Sequence, residues 1–294
     1  MAGSLRIGSQ KVCPAVETIG QDVIILREVS PQGKFQKPTS NFTFSLPSTA
    51  TDADKNALYC AFENCTTLTS VDLSSLTTVS GNGAFYGAFS NCTNLTSINL
   101  RNLTSVSGNI AFYGSFYGCS IVSLDLPNLT SIGPSGFNTT FSSCPNLTSV
   151  NLSSLTTLSG SFSLIRAFSL CPNLSSVDLS NLTTVGDYAL DDTFSSCTSL
   201  VSMTFPKLTG LTGRNALYNI FGRCTSLISV SFPALTSTSF GSYTNQFNRM
   251  LYQVNGCTVH FPSNLQSIIG SWSDVVAGFG GTNTVVLFDL PATT

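Results

Sequence analysis

Cys257 and His260 stand three residues apart, and a thiol beside an imidazole can be ionised into a nucleophile. Such a dyad also needs a cleft and a third group to orient the imidazole, and the sequence offers neither. His260 is the only histidine. Aligned with the upstream repeats, it falls in a solvent-facing column otherwise occupied by Asp72, Asn99, Asp125, Asn151, Asp178, Thr204 and Ser231. A second chemistry is metal binding through the ten cysteines. No C-x-x-C pair occurs, and Cys60 and Cys65 lack a partner pair at zinc-site spacing. A third is calcium binding. Asp52, Asp54, Asn56 and Glu63 stand at positions 1, 3, 5 and 12 of a twelve-residue loop, but Ala57 sits where its sharp turn requires glycine. The two aspartates suit the start of a helical turn instead. No G-x-S-x-G and no glycine-rich phosphate loop appears. The expectation is a protein without catalytic residues, metal or cofactor.

What positions these residues is a repeat. F-x-x-C recurs at Phe62/Cys65, Phe89/Cys92, Phe116/Cys119, Phe141/Cys144, Phe168/Cys171, Phe194/Cys197 and Phe221/Cys224, with cysteine spacings of 27, 27, 25, 27, 26 and 27. After each cysteine comes L-x-S-[VIM]-x-[LF], one residue short after Cys119, and then a second apolar set such as Leu76/Val79 and Leu103/Val106. Alternation at Val71/Leu73, Ile98/Leu100 and Val150/Leu152 reads as a short strand with one buried face. An apolar residue four positions before each core phenylalanine, as in Leu58–Phe62 and Phe85–Phe89, puts both side chains on one face of a helical turn. Ser-Gly pairs at 80–81, 107–108 and 159–160 mark turns. No unit can bury its apolar face alone, so neighbours must stack. The fold class expected is an α/β repeat solenoid, with a parallel sheet on one face and short helical turns on the other. Its core is the seven phenylalanines and a column of seven reduced cysteines, which behave as small hydrophobes when buried. Cys13 and Cys257 lie outside that column and are expected to be exposed.

The ends follow the same pattern less regularly. "FTFSLP" at 42–47 opens a half-repeat, "TVHFP" at 258–262 aligns with "SVSFP" at 229–233, "SWSDVVAGFGG" keeps an amphipathic segment, and "TVVLFDL" at 284–290 reads as a closing strand. The partition expected is a non-repeat segment over 1–41 that caps or docks the solenoid, about nine units over 42–290, and a tail over 291–294. Within the first segment "DVIILREV" reads as a strand.

The run F-x-x-C-x-x-L-x-S-[IV]-x-[LF]-[PS]-x-L-T-x-[IV] resembles the BspA-type leucine-rich repeat over roughly residues 42–290. The resemblance implies a right-handed superhelix and non-enzymatic binding or adhesion. More locally, "IGSQKVCP" at 7–14 and "GGTNTVVLFDL" at 280–290 look like repeat proteins encoded by bacteriophages of gut bacteria.

Composition narrows the partners. Hydrophobic residues make up 42 % and charged residues only 9 %, against about 25 % in average soluble proteins. Surface polarity must therefore come from Ser, Thr and Asn. Net charge is −2 and no Lys/Arg cluster forms a continuous track for phosphates, so nucleic acid is not expected. No apolar run approaches the ~18 residues of a membrane span, and the first twenty residues carry no apolar stretch of about 7–15 residues typical of a secretory signal.

Two surface features remain as binding candidates. One is the outward strand column of Asp72, Asn99, Asp125, Asn151 and Asp178, whose alternation also keeps like charges off adjacent rungs. The other is Tyr59, Tyr86 and Tyr113, three residues before the core phenylalanine and joined by Tyr218. Two functions fit. The chain is a virion-borne or cell-surface adhesin contacting a host protein or glycan, or a structural spacer bound to other virion proteins, with self-association possible in either case.

Overall fold

The computed structural model describes residues 15–18, 24–27, 42–46, 58–236, 239–240, 245–269 and 280–292. Cys13, the calcium-like Asp52, Asp54 and Asn56, and most of the amphipathic segment after Ser271 lie outside the described residues. Within residues 1–41 an antiparallel pair joins Ala15–Thr18 to Ile24–Arg27.

Val71 and Leu73, with Ser70 and Asp72 on the opposite side, build the first complete rung. Leu68–Asp72 pairs in parallel with Phe42–Ser45 before it and Ser97–Asn99 after it, and aligns Asp72 with Asn99. The same rung recurs at Ser123–Asp125, Ser149–Asn151, Ser176–Asp178, Ser202–Thr204, Ser229–Ser231, Thr258–Pro262 and Val285–Leu290. That makes ten rungs among the described residues. The second apolar set forms a narrower parallel sheet of six two-residue strands, from Thr78–Val79 to Gly210–Leu211. Between these sheets the backbones of successive coils pass so close that a Cβ on Gly108 would fall on the Gly81 carbonyl. The Ser-Gly pairs thus mark close backbone approach as well as turns.

The segment leading to F-x-x-C corrects the sequence expectation: it is not helical. In a helix every amide bonds four residues back along its own chain. Here only alternate amides bond locally, and they reach three residues back: Ala61 N–H to Leu58, Glu63 to Cys60, Cys65 to Phe62. The others cross to the next coil: Leu58 N–H to the Ala84 carbonyl at 2.7 Å, Cys60 to Tyr86 at 2.8 Å, Phe62 to Ala88 at 2.7 Å. The segment is a run of four-residue turns whose every fourth residue is left-handed, as at Gly83 (φ 62°), Gly87 (57°) and Asn91 (56°). Eight isolated residues make a marginal helix, whereas stacked turns gain a hydrogen bond from each neighbour. The described helix is confined to Ser263–Leu265 and Gln266–Ile269.

The core fills the space between these ribbons. Phe62, Phe89, Phe116, Phe141, Phe168, Phe194 and Phe221 are fully buried and stack ring on ring, with centroids 5.1–6.0 Å apart. Beside them Cys65, Cys92, Cys119, Cys144, Cys171, Cys197 and Cys224 are equally buried. From Cys92 onward each thiol donates to the carbonyl of the preceding coil's phenylalanine, at 3.0–3.3 Å. Burial raises the Cys224 thiol to about 12 and holds Cys197 well above the ordinary range, while Cys144 is raised first by its hydrogen bond with Cys171 and then by burial. Cys257 departs from expectation. It is buried because it continues the inward alternation of Val259 and Phe261, and burial raises it to about 12.

The scarcity of charge is met by polar side chains that tie coils together. Asn94 donates to the Thr66 carbonyl at 2.7 Å, Asn102 to Ser74 at 2.8 Å, Asn128 to Arg101 at 2.7 Å, and Thr104 to Thr77 at 2.8 Å. Each satisfies a backbone acceptor and joins one coil to the next.

Candidate functional site

Two faces of the solenoid carry the candidate residues. On the sheet face, Asp72, Asn99, Asn151 and Asp178 turn their side-chain oxygens onto the amide two residues ahead. Ser74, Arg101, Ser153 and Ser180 N–H donate to them at 3.0, 3.4, 3.0 and 2.9 Å. These are Asx turns that end each strand. Asp125 stands apart, because the residue two ahead is Pro127, which has no N–H. Its carboxylate instead accepts from Asn151 Nδ2 at 2.7 Å and pairs with Arg101 Nε at 3.4 Å. The column is committed to holding its own strands. At its far end His260 Nδ1 lies 3.0 Å from both carboxylate oxygens of Asp289, so the imidazole has a carboxylate partner and no thiol.

On the turn face, Tyr59, Tyr86 and Tyr113 form one continuous stack. Ring centroids are 4.8 and 4.9 Å apart and the planes are within 5° of parallel. Tyr59 is 38 % exposed and the other two are half-buried. Burial first, then the neighbouring phenols, raise the Tyr86 hydroxyl. Asn138, Ile165 and Asp191 take the equivalent position in the following coils, so Tyr218 does not join the stack.

The same face holds a groove that sequence reading did not find. Arg166, Arg223 and Arg249 converge with Asp192, Asn219 and Tyr252 around a cavity of about 440 Å³. Arg166 Nε bonds Asp192 at 3.1 Å, Arg223 Nε bonds Gln253 at 2.8 Å, and Arg249 lies 4.3 Å over the Tyr252 ring while donating to Tyr218 at 3.3 Å. Next to the groove, Asp191 is raised to about 7, chiefly by burial and then by Asp192, with Arg166 opposing. The three arginines are far apart in sequence and form no charge run. Their common signal is register, since each lies two residues before or after the core position of its coil.

Among the described residues no group of His, Cys, Asp and Glu could hold a metal, and no helix is long and apolar enough to cross a membrane. Stacked parallel rungs, repeated F-x-x-C corners and binding candidates confined to surface columns are the marks of a repeat family. Solved structures to which the chain is similar include a leucine rich repeat protein of T. pallidum (20 % identity, 76 % of this chain and 80 % of that one, TM-score 0.34). A leucine rich cell surface protein of Faecalibacterium prausnitzii matches at 14 % identity over 92 % and 95 %, TM-score 0.27. A leucine-rich repeat protein of Bacteroides ovatus matches at 15 % over 95 % and 100 %, TM-score 0.25. No curated protein matches. The BspA type leucine rich repeat region is found in six copies, matching residues 31–137, 61–193 and 165–272. With more than half its length in that repeat, the chain belongs to the BspA-type leucine-rich repeat family.

Proposed function

We propose that the solenoid is a non-enzymatic surface-interaction protein, adhesive or receptor-binding through its turn face, carried on a bacterial cell surface or a bacteriophage virion. The observation that carries this reading is the stack of Tyr59, Tyr86 and Tyr113, exposed at Tyr59 and half-exposed along the other two. Three parallel phenols give a rigid, amphipathic strip with little side-chain entropy left to lose on contact. The sheet-face column supports the choice by exclusion, since its oxygens are occupied by strand-ending turns. In the same reading residues 1–41 cap or dock the solenoid, residues 291–294 are a tail, and the coils follow the right hand that parallel crossovers favour. The partner is a host surface protein or glycan, reached without a metal or cofactor. The second reading is a structural spacer that touches only its own assembly.

The test uses beads coated with the full chain and scored for retention on bacterial cells and cultured epithelial cells. Many copies per bead make weak contacts measurable. Tyr86→Ala with Tyr113→Ala should reduce retention about tenfold while far-UV circular dichroism stays unchanged, and chelator should leave retention as it was. Retention abolished by chelator, or turnover of a substrate by the purified protein, would sink the reading. No retention on either cell type would favour the spacer.

A further inference from the structure

The coils from Arg166 to Gln253 differ from earlier ones where the fold is most demanding. Each ribbon places left-handed residues two before and two after the core position. In the coils of Phe89 and Phe116 these are residues suited to that backbone, Gly87, Asn91, Gly114 and Gly118, while Cys60 and Thr139 occupy it in neighbouring coils. The later coils put Arg166 (φ 53°), Arg223 (61°) and Arg249 (54°) there instead. Any side chain with a Cβ raises the energy of this conformation. All three arginines are exposed; Arg223 and Arg249 bond to side chains near the surface, and Arg166 pairs with the largely buried Asp192. Strained positions that do not serve packing gather where a ligand is bound, and these three open into one groove.

We infer that this groove is a binding site for an acidic oligosaccharide of two or three rings, with its carboxylate or sulfate on the arginines and its hydroxyls on the groove floor. The inference rests on the binding reading above and names a ligand class for a second site on the same face. Three guanidinium groups against the single Asp192 carboxylate make the groove cationic in a chain of net charge −2. Guanidinium groups grip planar oxyanions two oxygens at a time. Tyr252 under Arg249 gives a flat wall for a sugar face. Ser195 and Ser196 also line the groove, and their hydroxyls can both donate to and accept from sugar hydroxyls. The groove spans four coils, roughly 15 Å at the ~4.8 Å spacing of parallel strands, which is the length of a short saccharide. Asp191 and Asp192 beside it oppose a long polyanion such as nucleic acid.

Calorimetry on the full chain tests this with trigalacturonate, a sulfated chondroitin disaccharide, maltotriose and a ten-nucleotide oligo(dT). One or both acidic saccharides should bind, more weakly as salt rises, and maltotriose should not. Binding of the chondroitin disaccharide without trigalacturonate assigns the grip to sulfate, and binding of both assigns it to the carboxylate they share. Arg223→Asn with Arg249→Asn should weaken that binding at least tenfold, because asparagine suits the left-handed backbone and leaves the fold intact. The proposal is overturned if neither acidic saccharide binds at millimolar concentration, if the double variant binds as well as the parent, or if oligo(dT) alone binds. Arginine-dependent saccharide binding by a protein whose beads adhere to no cell would support the groove while refuting the adhesion reading. Bead retention that survives the arginine variant, with no saccharide bound, would do the reverse.

Discussion

Replacing Phe141 by alanine tests whether the ring column holds the solenoid together coil by coil. Phe141 is fully buried, stacked on Phe116 at 5.3 Å and on Phe168 at 5.7 Å, with Phe137 edge-on at 6.0 Å. Truncating a phenylalanine in a packed core costs about 3–5 kcal/mol. The upper half of that range is expected here, because the ring has neighbours on both sides and the close-bonded ribbons cannot collapse into the gap. Phe288 provides the internal control. It ends another ring column, is half-buried and, among the described residues, stacks on Phe261 at 5.9 Å. Fully burying such a side chain is worth about 1.5–3 kcal/mol, so Phe288→Ala should cost about 1 kcal/mol. Urea unfolding followed by circular dichroism measures both losses. Hydrogen exchange should show that Phe141→Ala releases amides of the coils around Phe116 to Phe168 first, since solenoid stability is a sum over neighbouring units. A loss below about 1 kcal/mol for Phe141→Ala, or exchange rising evenly along the chain, would refute this account.

The cysteine column should resist a thiol reagent under native conditions and react once the chain is denatured; pairing of these cysteines in non-reducing mass spectrometry would contradict it. Asp191 is raised from 3.8 to about 7, so the folded state holds its proton more tightly than the unfolded state does. That contribution is complete below pH ~4 and is lost as pH rises to ~7; at ~1.4 kcal/mol per unit, discounted for partial exposure, it amounts to about 2 kcal/mol. Asp191→Asn should therefore flatten the stability profile between those values and leave the variant more stable at pH 8, and a parallel profile would refute the burial of this carboxyl. Two glycines should fail for different reasons. Gly108→Ala drives a Cβ into the Gly81 carbonyl and should cost about 2–3 kcal/mol, whereas Gly114→Ala meets no atom but sits at φ 58° and should cost about 1 kcal/mol. Equal losses in thermal melts would refute the distinction.

Much of this fold could be read from the chain. The F-x-x-C register locates the seven phenylalanines of one continuous ring column, and alternation at Val71/Leu73 and Val150/Leu152 locates the rungs. The turn ribbon reads as helical in sequence because apolar residues four apart share a face in either structure. The distinguishing signal was present in Gly83, Gly87 and Asn91, and again in Gly114 and Gly118. A glycine or asparagine every fourth residue is costly in a helix and natural at a left-handed turn position. Comparison with the cysteine column puts Cys257 outside the core, whereas its two-residue alternation with Val259 and Phe261 points it inward. The arginine groove was invisible to any search for clustered charge, because stacking brings together residues that are 57 and 26 positions apart.

Because alternate ribbon amides cross to the next coil, each inner ribbon donates to the coil after it and accepts from the coil before it. The molecule is consequently translatable along its own axis. Unequal recombination between near-identical copies can insert or delete one coil of 25–27 residues and leave every inner bond remade. Growth then proceeds in steps of ~4.8 Å, and each step taken between Tyr59 and Tyr113 adds or removes a single phenol from the exposed strip. Reach and avidity would thereby be set by gene length, with no new contact having to be invented.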